Sequence, residues 1–432
     1  MLFAKLQQVN SDQQQLADEC GNACKPITEY NEPTKPRTWS ESLTEIVHGN
    51  MEARKMFPLS YMELILTSDC NLRCSYCFER DKKPFNMSDE VAFAAVDFLI
   101  QTSRDIKDLT ILLFGGEPML RFDLIQRIVP YANKKAADAG KTIGWDMTTN
   151  GTLIDETRAR WMAEHKVKYL LSLDGAKEDH DRYRKFPDGR SSYELIMEHL
   201  PMMKSYQPWM GTKMSVTPES TLRLRDNLYE LWKNGINQFI VGYAHGLDWN
   251  DENLLKYEQG MLNVCELYLE MKYNEKYFRI TAFEEESLCD IKEVPFGCGA
   301  GRGRFCVDTQ GDLYGCSKMC TIMGHGKGIL PFGNVLQGFT LINNRKHCLN
   351  DSIKSRRKCQ GCDYEKSCGG GCPATNYERT GSIYLQGDEE CETSLIYNRI
   401  NEYMRKRHDD VFNTDWSNYV RRTRIEKSLP LH

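Results

Sequence analysis

The arrangement of hydrophobic and polar residues changes at about residue 60, where two kinds of segment begin to alternate. Short apolar segments rich in β-branched residues are typical of buried strands, and the longer segments between them carry the spacing of amphipathic helices. The strand segments are MELILT, LTILLFGG, TIGWDMTTNG, VKYLLSLDG, GTKMSVTPE and NQFIVGYA. Six such units predict an α/β fold, and six rather than eight predict an open, partial (β/α)6 TIM-like barrel.

The same pattern divides the chain into four predicted regions. Residues 1–60 are polar with turn signals and predict an N-terminal extension, whereas residues 61–285 form the predicted barrel. Residues 286–400 are rich in glycine, cysteine and short strand segments such as RFCVDTQGDLYGCS, with a turn at Gln310 and Gly311, and predict a small second domain. Residues 401–432 continue a helical pattern, LIYNRINEYMRKRHDD, and end in a basic tail.

Composition argues against several classes of protein. The 432 residues carry a formal net charge of −5 with charges of both signs, which argues against a nucleic-acid partner bound by a basic surface. No run of about 18 apolar residues is present to span a membrane. The N terminus lacks the apolar core of a secretory signal. We therefore expect a cytoplasmic protein with neither a membrane nor a nucleic acid as partner.

Cysteine is the residue type that most needs an explanation. The chain has 17 cysteines, of which eleven lie between residues 289 and 391 and three lie together as Cys70, Cys74 and Cys77. Disulfides are rare in the reducing cytosol, so metal or iron–sulfur ligation is the leading interpretation.

Cys70, Cys74 and Cys77 form a C-x3-C-x2-C motif in TSDCNLRCSYCFER, directly after the first predicted strand. In barrels of this kind, chemistry lies at the C-terminal ends of the strands. A closed structural zinc site needs four ligands, so three thiols indicate a site with one open position. A zinc site that takes its fourth ligand from elsewhere remains the alternative for this motif alone.

This motif, at the end of the first strand of a partial barrel, resembles the signature of the radical S-adenosylmethionine (SAM) enzymes. The resemblance implies that the three thiolates hold a 4Fe–4S cluster and that its fourth iron binds the methionine part of SAM. Reductive cleavage of SAM would then yield a 5′-deoxyadenosyl radical that abstracts hydrogen from the substrate. The aromatic residue after the last cysteine, Phe78, fits a position near adenine, although a core position fits it nearly as well.

Three further strand ends match the same family. The FGGEP segment contains Gly115, Gly116 and Glu117, and by resemblance it binds the methionine amino group. The TTNGT segment ends the third strand. The LSLDG segment ends the fourth strand, and its Ser172 and Asp174 resemble positions near the ribose. All four motifs occur in the expected order, and each lies at a strand end. Together they argue against the zinc interpretation of the cysteine loop.

The cysteines of the second region form a longer pattern. Cys298, twelve residues, Gly311, four residues and Cys316 are followed by a C-x2-C-x5-C-x3-C motif that begins at Cys359, and by Cys391. This spacing resembles the SPASM domain of radical SAM enzymes that modify peptides and proteins. A pair of zinc ribbons is the alternative.

The SPASM resemblance implies two auxiliary 4Fe–4S clusters, and thus three clusters in all. One auxiliary cluster would be held by Cys359, Cys362, Cys368 and Cys391. The other would be held by Cys298, Cys316 and Cys372, and its fourth ligand would be Cys289, Cys306, Cys320 or a substrate thiolate at an open iron.

The resemblance further implies a substrate that is a peptide. Sulfatase maturases, which oxidise a serine or cysteine to formylglycine, carry an aspartate directly after the cysteine equivalent to Cys316. This chain has Ser317 and Lys318 there, so the proton acceptor of that reaction is missing. We therefore expect a maturase that abstracts hydrogen from a ribosomally made precursor peptide and forms a thioether or carbon–carbon cross-link. Flavodoxin or ferredoxin is the expected reductant.

Three other hypotheses stay open. The enzyme could form formylglycine, or it could modify an enzyme subunit rather than a short precursor. A non-catalytic iron–sulfur electron carrier is the third, although FGGEP, TTNGT and LSLDG would have no use in it. No residue is assigned as a catalytic acid or base from the sequence.

Overall fold

A single mixed sheet forms the body of the protein. The structure is a computed structural model that describes residues 58–79, 83–284, 299–321, 328–349, 359, 361–364 and 368–412. Within these residues ten strands pair in the order β10-β9-β8-β1-β2-β3-β4-β5-β6-β7. Nearly all of the predicted N-terminal extension and the predicted basic tail lie outside the described residues.

Six consecutive parallel strands confirm the predicted β/α units. They are β1 (Tyr61–Ile65), β2 (Asp108–Phe114), β3 (Thr142–Thr149), β4 (Val167–Ser172), β5 (Gly211–Val216) and β6 (Gln238–Tyr243). Each pairs in parallel with the next, so all six C-terminal ends meet at one edge. Because neither β7 nor β10 pairs with a further described strand, the sheet is an open, partial barrel.

Helices cover the outer face of these strands. They are α1 (Asp89–Thr102), α2 (Phe122–Asp138), α3 (Glu156–Glu164), α4 (Lys177–Tyr183), α5 (Ser192–Tyr206), α6 (Leu224–Lys233) and α7 (Asp251–Tyr273). Several begin at a capping side chain: Ser88 accepts the backbone N–H of Val91, and Asp155 accepts that of Arg158. No helix in the described part of the chain is long and apolar enough to cross a membrane.

The two faces of the barrel strands differ in polarity. Leu109, Ile111 and Leu113 of β2 are buried against the helices. On the opposite face, Asp146, Lys168 and Lys213 are exposed within their strands. Since successive strand residues point to opposite faces, this polar face lines the lumen of the barrel. The lumen is therefore a water-accessible chamber and not a packed core.

Short strands extend the sheet beyond β1 and β6. β7 (Arg279–Ile280) pairs with β6, and β8 (Arg304–Val307) pairs in parallel with β1. β8 and β9 (Asp312–Tyr314) form the hairpin predicted around Gly311, whose φ is 89°, and β10 (Gly333–Asn334) follows. The first strand of the cysteine-rich region therefore lies in the same sheet as the barrel, beside β1. The domain boundaries themselves stay a prediction.

The remaining helices are α8 (Ser317–Cys320), α9 (Ile342–Leu349), α10 (Pro373–Thr380) and α11 (Asp388–Phe412). The predicted helical C terminus is confirmed, and it begins at Asp388. This helix returns to the barrel and lies against α7, where Arg399 pairs with Glu258 at 2.6 Å and Arg407 with Glu266 at 2.9 Å.

Candidate active site

The loop that carries Cys70, Cys74 and Cys77 follows β1 at the C-terminal edge of the sheet, as the sequence predicts. Hydrogen bonds close the base of this loop. Thr67 Oγ1 donates to the carbonyl of Phe85 at 3.1 Å, and Ser68 Oγ accepts the N–H of Phe85 at 2.8 Å. The three thiols are thus presented on a fixed strand end rather than on a free loop.

Burial keeps the three thiols of this loop protonated in the absence of a bound cation. Burial raises the pKa of Cys70 to about 12 and that of Cys77 to about 11, and burial also raises the pKa of Cys74. At neutral pH the thiols would stay protonated unless a bound cation displaced the protons. The loop therefore has the donor chemistry of a metal-thiolate site.

Two N–H donors point at the first of these sulfurs. The backbone N–H of Leu72 donates to Cys70 Sγ at 3.4 Å, and the amide of Asn150 lies 3.9 Å from the same sulfur. Asn150 also donates to Asn71 Oδ1 at 2.8 Å. Hydrogen bonds of this kind offset thiolate charge in iron–sulfur proteins. These donors suit the sulfur chemistry of a cysteine-ligated cluster, and they bring the end of β3 to the loop. In the part of the chain that the structure describes, no three metal-ligating side chains are grouped closely enough to hold a metal ion.

The two glycines of FGGEP lie directly against the cysteine loop. Gly116 donates its N–H to the carbonyl of Thr67 at 2.8 Å, and Glu117 donates to that of Asp69 at 2.8 Å. A Cβ on Gly116 would lie 2.1 Å from the Asp69 carbonyl oxygen, and Gly115 has a φ of 143°. Only glycine allows two backbones to approach this closely.

The Glu117 carboxylate joins β2 to the end of β3. It accepts hydrogen bonds from Thr149 Oγ1 at 2.7 Å and from the backbone N–H groups of Asn150 at 2.7 Å and Met119 at 3.0 Å. Burial raises its pKa. These contacts give Glu117 a positioning role, and the contact of FGGEP with the methionine amino group stays a prediction.

We predict that Gly116→Ala abolishes SAM cleavage, because the new methyl group pushes the Asp69 backbone and the cysteine loop away. Iron content after anaerobic reconstitution and 5′-deoxyadenosine formed on reduction would measure the effect. Gly144→Ala is the matched control, since a Cβ there meets no atom closer than 3.7 Å and the backbone does not have a positive φ. Equal loss of cleavage in both variants would contradict the prediction.

A buried ion pair holds the other side of the cysteine loop. Asp174, at the end of β4, accepts hydrogen bonds from Arg184 Nε at 2.6 Å, from the hydroxyl of Tyr76 and from the backbone N–H of Ser215 at 2.8 Å. The exposed fractions of the Asp174 and Arg184 side chains are 2% and 12%. Tyr76 stands between the second and third cysteines, so this carboxylate links the loop to β4 and β5.

We predict that Asp174→Asn lowers SAM cleavage by about 10- to 100-fold, the usual cost of losing a partner that orients metal ligands. Tyr76→Phe removes one hydroxyl contact and should have a smaller effect in the same direction. Tyr131→Phe, which loses a tyrosine hydroxyl bonded to Asp97 on the outer face, is the control. A Tyr76→Phe enzyme indistinguishable from the Tyr131→Phe enzyme would argue against this role.

His180 contacts the backbone of Asp174 directly and that of Arg184 through Ser192. Its Nδ1 accepts the backbone N–H of Asp174 at 3.4 Å, so the proton lies on Nε2, which donates to Ser192 Oγ at 2.9 Å. Ser192 in turn donates to the carbonyl of Arg184 at 2.6 Å. Burial lowers the pKa of His180 to about 4, so the folded chain holds the imidazole neutral.

Acid should therefore destabilise this region. The pKa of His180 is about 4 when folded and near 6.5 when unfolded, so this contribution to stability is complete above pH 6.5 and is lost as the pH falls towards 4. The full loss is roughly 3 kcal/mol. We expect the urea midpoint to fall more between pH 7 and pH 5 for the unaltered chain than for His180→Gln. An equal fall in both would place the titrating group elsewhere.

Two basic side chains, Lys213 and His245, lie at the lumen near the predicted SAM site. Lys213 lies beside Ser172 in the pairing of β4 with β5, and among the described residues its ammonium group has no hydrogen-bond or ion-pair partner. Although solvent reaches this side chain, the surrounding barrel walls lower its pKa. His245 follows β6, and burial together with Lys318 and Lys213 lowers its pKa, so its imidazole is neutral.

The cysteines of one predicted auxiliary site come together in part. Cys359 Sγ donates to Gln386 Oε1 at 3.3 Å, and Gln386 Nε2 donates to Cys368 Sγ at 3.7 Å. Cys362 lies one tight turn from Cys359, with its N–H bonded to the Cys359 carbonyl at 3.1 Å. Cys391 lies in the first turns of α11, with its N–H bonded to the carbonyl of Gly387, the residue after Gln386.

The cysteines of the other predicted auxiliary site lie among apolar side chains between the β8–β9 hairpin and α10. A group of four thiols occurs there, and we call it the thiol group: Cys306, Cys316, Cys320 and Cys372. The predicted ligand Cys298 and the candidate Cys289 lie outside the described residues. The structure therefore brings two of the three open candidates, Cys306 and Cys320, beside Cys316 and Cys372.

Several residues of the site were not singled out by the sequence. Tyr76, Glu63 and Lys213 had no motif of their own, whereas Arg184 ends the KEDHDRYR segment, which resembles family members that act on peptides. The spacing of TSDCNLRCSYCFER could have pointed to Tyr76, since it lies between two predicted ligands. The pairing of Arg184 with Asp174 depends on how α4 returns to the sheet. Phe78 is half-buried in the loop, and its position near adenine stays a prediction, as does that of Ser172 near ribose.

Comparison with known proteins agrees with this geometry. Residues 64–212 match the Radical SAM superfamily, and the matched segment contains the cysteine loop, FGGEP and LSLDG. Residues 64–212 therefore form a domain of the Radical SAM superfamily. An iron–sulfur cluster and SAM are therefore its cofactors, and the loop of Cys70, Cys74 and Cys77 has the donor chemistry to hold that cluster.

The similarity extends beyond the matched domain. The chain is 27% identical to the cysteine-type anaerobic sulfatase-maturating enzyme of Clostridium perfringens over 73% of its length and 89% of that protein. It is 21% identical to the radical SAM cyclopropyl synthase TigE of Paramaledivibacter caminithermalis over 82% of its length and 75% of that protein.

A solved structure supports the fold. Native anSMEcpe with bound AdoMet and Kp18Cys peptide superimposes with a TM-score of 0.68 at 23% identity, covering 83% of this chain and 100% of that one. The radical SAM prediction and its barrel are therefore confirmed, and the ligand assignments of individual cysteines stay predictions.

Proposed function

We propose that this radical SAM enzyme is a peptide maturase that forms a thioether or carbon–carbon cross-link in a ribosomally made precursor. The observation that carries the proposal is the lack of a carboxylate at positions 317 and 318, where sulfatase maturases are expected to have the aspartate that takes the substrate proton. Similarity to both a sulfatase maturase and TigE supports a peptide or protein substrate.

Side chains around these positions support the distinction. The backbone N–H of Ser317 donates to Glu63 Oε2 at 2.7 Å. Lys318 donates to Thr375 Oγ1 at 2.7 Å and pairs with Glu378 at 3.1 Å. A protonated, ion-paired ammonium group cannot accept a proton. The only lumen carboxylate beside Ser317 among these residues, Glu63, already faces Arg304 at 3.6 Å.

Three 4Fe–4S clusters are part of the proposal. The cysteine loop would hold the cluster that binds SAM. The two predicted sets of auxiliary cysteines would hold the auxiliary clusters, and in one of these sets Gln386 contacts both Cys359 and Cys368. When bound, the first cluster and SAM supply the radical that abstracts hydrogen. The auxiliary clusters would take up the electron that remains, and a flavodoxin or ferredoxin would be the external reductant.

The chain's own residues position the reactants. Asp174 and Arg184 fix the cysteine loop, and Glu117 fixes the loop that faces it. The lumen then offers Lys213 and the neutral His245 to the substrate. A chamber lined by an unpaired ammonium group suits a peptide with an acidic or carbonyl group near the reacting carbon.

Formylglycine formation is the second candidate, and the 27% identity to a cysteine-type sulfatase maturase favours it. Modification of an enzyme subunit is the third. The two differ from cross-linking in the mass and chemistry of the product. An aldehyde would mark the second candidate, and a large protein substrate would mark the third.

The test is incubation of the anaerobically reconstituted enzyme with SAM, a reductant and any short peptide that is encoded beside its gene. We expect loss of hydrogen pairs, a stretch that resists fragmentation and any cross-linked cysteine no longer open to alkylation. A cysteine-containing sulfatase-type peptide should react on the order of 100-fold more slowly than the neighbouring peptide, because a positioned base contributes roughly 10²- to 10⁴-fold to the rate of such a reaction.

Cys74→Ala is the negative control, and Ser317→Asp restores the missing carboxylate. An aldehyde on the sulfatase-type peptide with the unaltered enzyme would support formylglycine formation and reject cross-linking. An unchanged mass of the neighbouring peptide, with SAM still cleaved, would point to a protein substrate instead.

A further inference from the structure

Lys213 carries a positive charge that faces the lumen without a counter-ion. Three other cations around the lumen each lie within 4 Å of a carboxylate: Arg184 with Asp174, Arg304 with Glu63, and Lys318 with Glu378. No hydrogen bond or ion pair joins the Lys213 ammonium group to any residue that the structure describes. Glu63 attracts this group electrostatically, but its carboxylate is engaged by Arg304 and by the backbone N–H of Ser317.

This ammonium group belongs to a residue that lies deeper in the barrel than the cysteine loop. The backbone N–H of Ser215 binds Asp174, and Asp174 binds Tyr76 in that loop. Lys213 precedes Ser215 by two positions on the same face of β5, so its backbone lies about 7 Å further from the C-terminal edge. The methionine part of SAM is expected at the cluster, at the strand ends. Lys213 is therefore placed to meet a substrate group that enters the lumen.

His245 offers a second hydrogen-bond donor in the same region. It follows β6, which pairs in parallel with β5, and its ring packs against that of Tyr243 with the ring centres 4.3 Å apart. Burial and the charges of Lys318 and Lys213 lower the pKa of His245. The imidazole is therefore neutral, and a neutral imidazole carries one N–H donor and one acceptor nitrogen.

A chain of hydrogen bonds decides which ring nitrogen of His245 carries the proton. The Lys318 ammonium group, which can only donate, gives a hydrogen bond to Thr375 Oγ1 at 2.7 Å. The Thr375 hydroxyl proton is then available to His245 Nδ1, 3.5 Å away. Because Nδ1 accepts, the proton of the ring lies on Nε2. Glu378 holds Lys318 at 3.1 Å, so the whole chain favours this tautomer.

Two donors without an acceptor between them define the chemistry of the missing group. A neutral carbonyl could accept from His245 Nε2 but would leave the charge of Lys213 uncompensated, which is costly inside protein walls. A carboxylate supplies both a negative charge and two acceptor oxygens, so it can take a hydrogen bond from each donor.

We propose that Lys213 and His245 form a subsite for a carboxylate of the peptide substrate. The carboxylate belongs either to an acidic side chain or to the C terminus of the peptide. This inference rests on the proposed function, and it narrows the substrate to a peptide with a carboxylate near the reacting carbon. The subsite orients the peptide in the lumen and takes no part in hydrogen abstraction.

The first test needs no enzyme variant. The KM of the unaltered enzyme is measured for the peptide that it modifies, for versions with each Asp or Glu changed in turn to Asn or Gln, and for the C-terminal amide. We expect one of these changes to raise KM about 10- to 100-fold, the usual cost of losing a charged hydrogen-bond partner. A side-chain change with this effect identifies an acidic residue, whereas an effect of the amide identifies the C terminus.

The outcomes of this first test separate the inference from the proposed function. A peptide that is modified with the same KM in every version would overturn the inference and leave the proposed function intact. An unaltered enzyme that cleaves SAM but modifies no peptide would overturn both.

The second test is a double-mutant cycle with Lys213→Met. In this variant the carboxylate peptide and its amide version should have the same KM, because the partner of the carboxylate is gone. Lys168→Met is the matched control. Lys168 also faces the lumen, but it precedes Ser172, the neighbour of Lys213, by four positions or about 13 Å along β4, so it should keep the full difference. A full difference in Lys213→Met, or a KM for SAM that rises more than that for the peptide, would overturn the inference.

The third test separates donation by His245 from packing. His245→Phe keeps a flat ring but has no donor, so it should raise the KM for the carboxylate peptide more than it lowers kcat. His245→Gln has an amide donor and should recover part of the loss. Equal KM values for both variants and the unaltered enzyme would remove His245 from the subsite.

Discussion

Close contact between two backbones determines the geometry of the active site. The Gly115–Gly116 segment after β2 lies against Thr67 and Asp69 after β1, at distances that leave no room for a side chain. Two backbone hydrogen bonds join the segments. The cysteine loop begins at this junction, so its position relative to the sheet follows from it. The buried Glu117 carboxylate then joins the same junction to β3.

A second constraint comes from buried charge. Asp174 and Arg184 leave water together, and such a pair is held only where further hydrogen bonds satisfy both groups. Tyr76 and the Ser215 backbone supply them, and the neutral His180 fixes the backbone beside the pair. These hydrogen bonds offset the free-energy cost of burying the two charges, and they also fix the orientation of the cysteine loop. Strands β1 to β5 all contribute contacts that hold the loop of thiols at the strand ends.

The lumen and the cysteine-rich region meet at β8. This strand pairs with β1, and it carries Arg304 and Cys306 on the face that bears Glu63. The Ser317 backbone bonds to Glu63, so the thiol group lies next to the barrel wall. The thiol group therefore lies on the same face of the sheet as Glu63, next to the lumen.

Much of the fold was accessible from the sequence because hydrophobic periodicity is local. The bounds of β1 to β6 and of α1, α2, α3, α5 and α6 follow segments that can be read within ten to twenty residues. The polar helix α4 and the long helix α7 were not predicted. Motif spacing similarly identified the cysteine loop, because its three ligands lie within eight residues. The pairing of β8 with β1 was missed. A four-residue strand carries little periodic signal, and its partner lies more than 200 residues away.

The sequence by itself therefore determined the barrel units, the cysteine loop and the radical SAM chemistry, since each is written in short-range pattern and composition. Only the tertiary structure decided which distant groups meet. It placed Arg184 against Asp174, Lys213 in the lumen and Cys306 beside Cys320. The physical reason is that such contacts depend on the path of the chain between the strands, and neither residue of a pair carries a local signal for its partner.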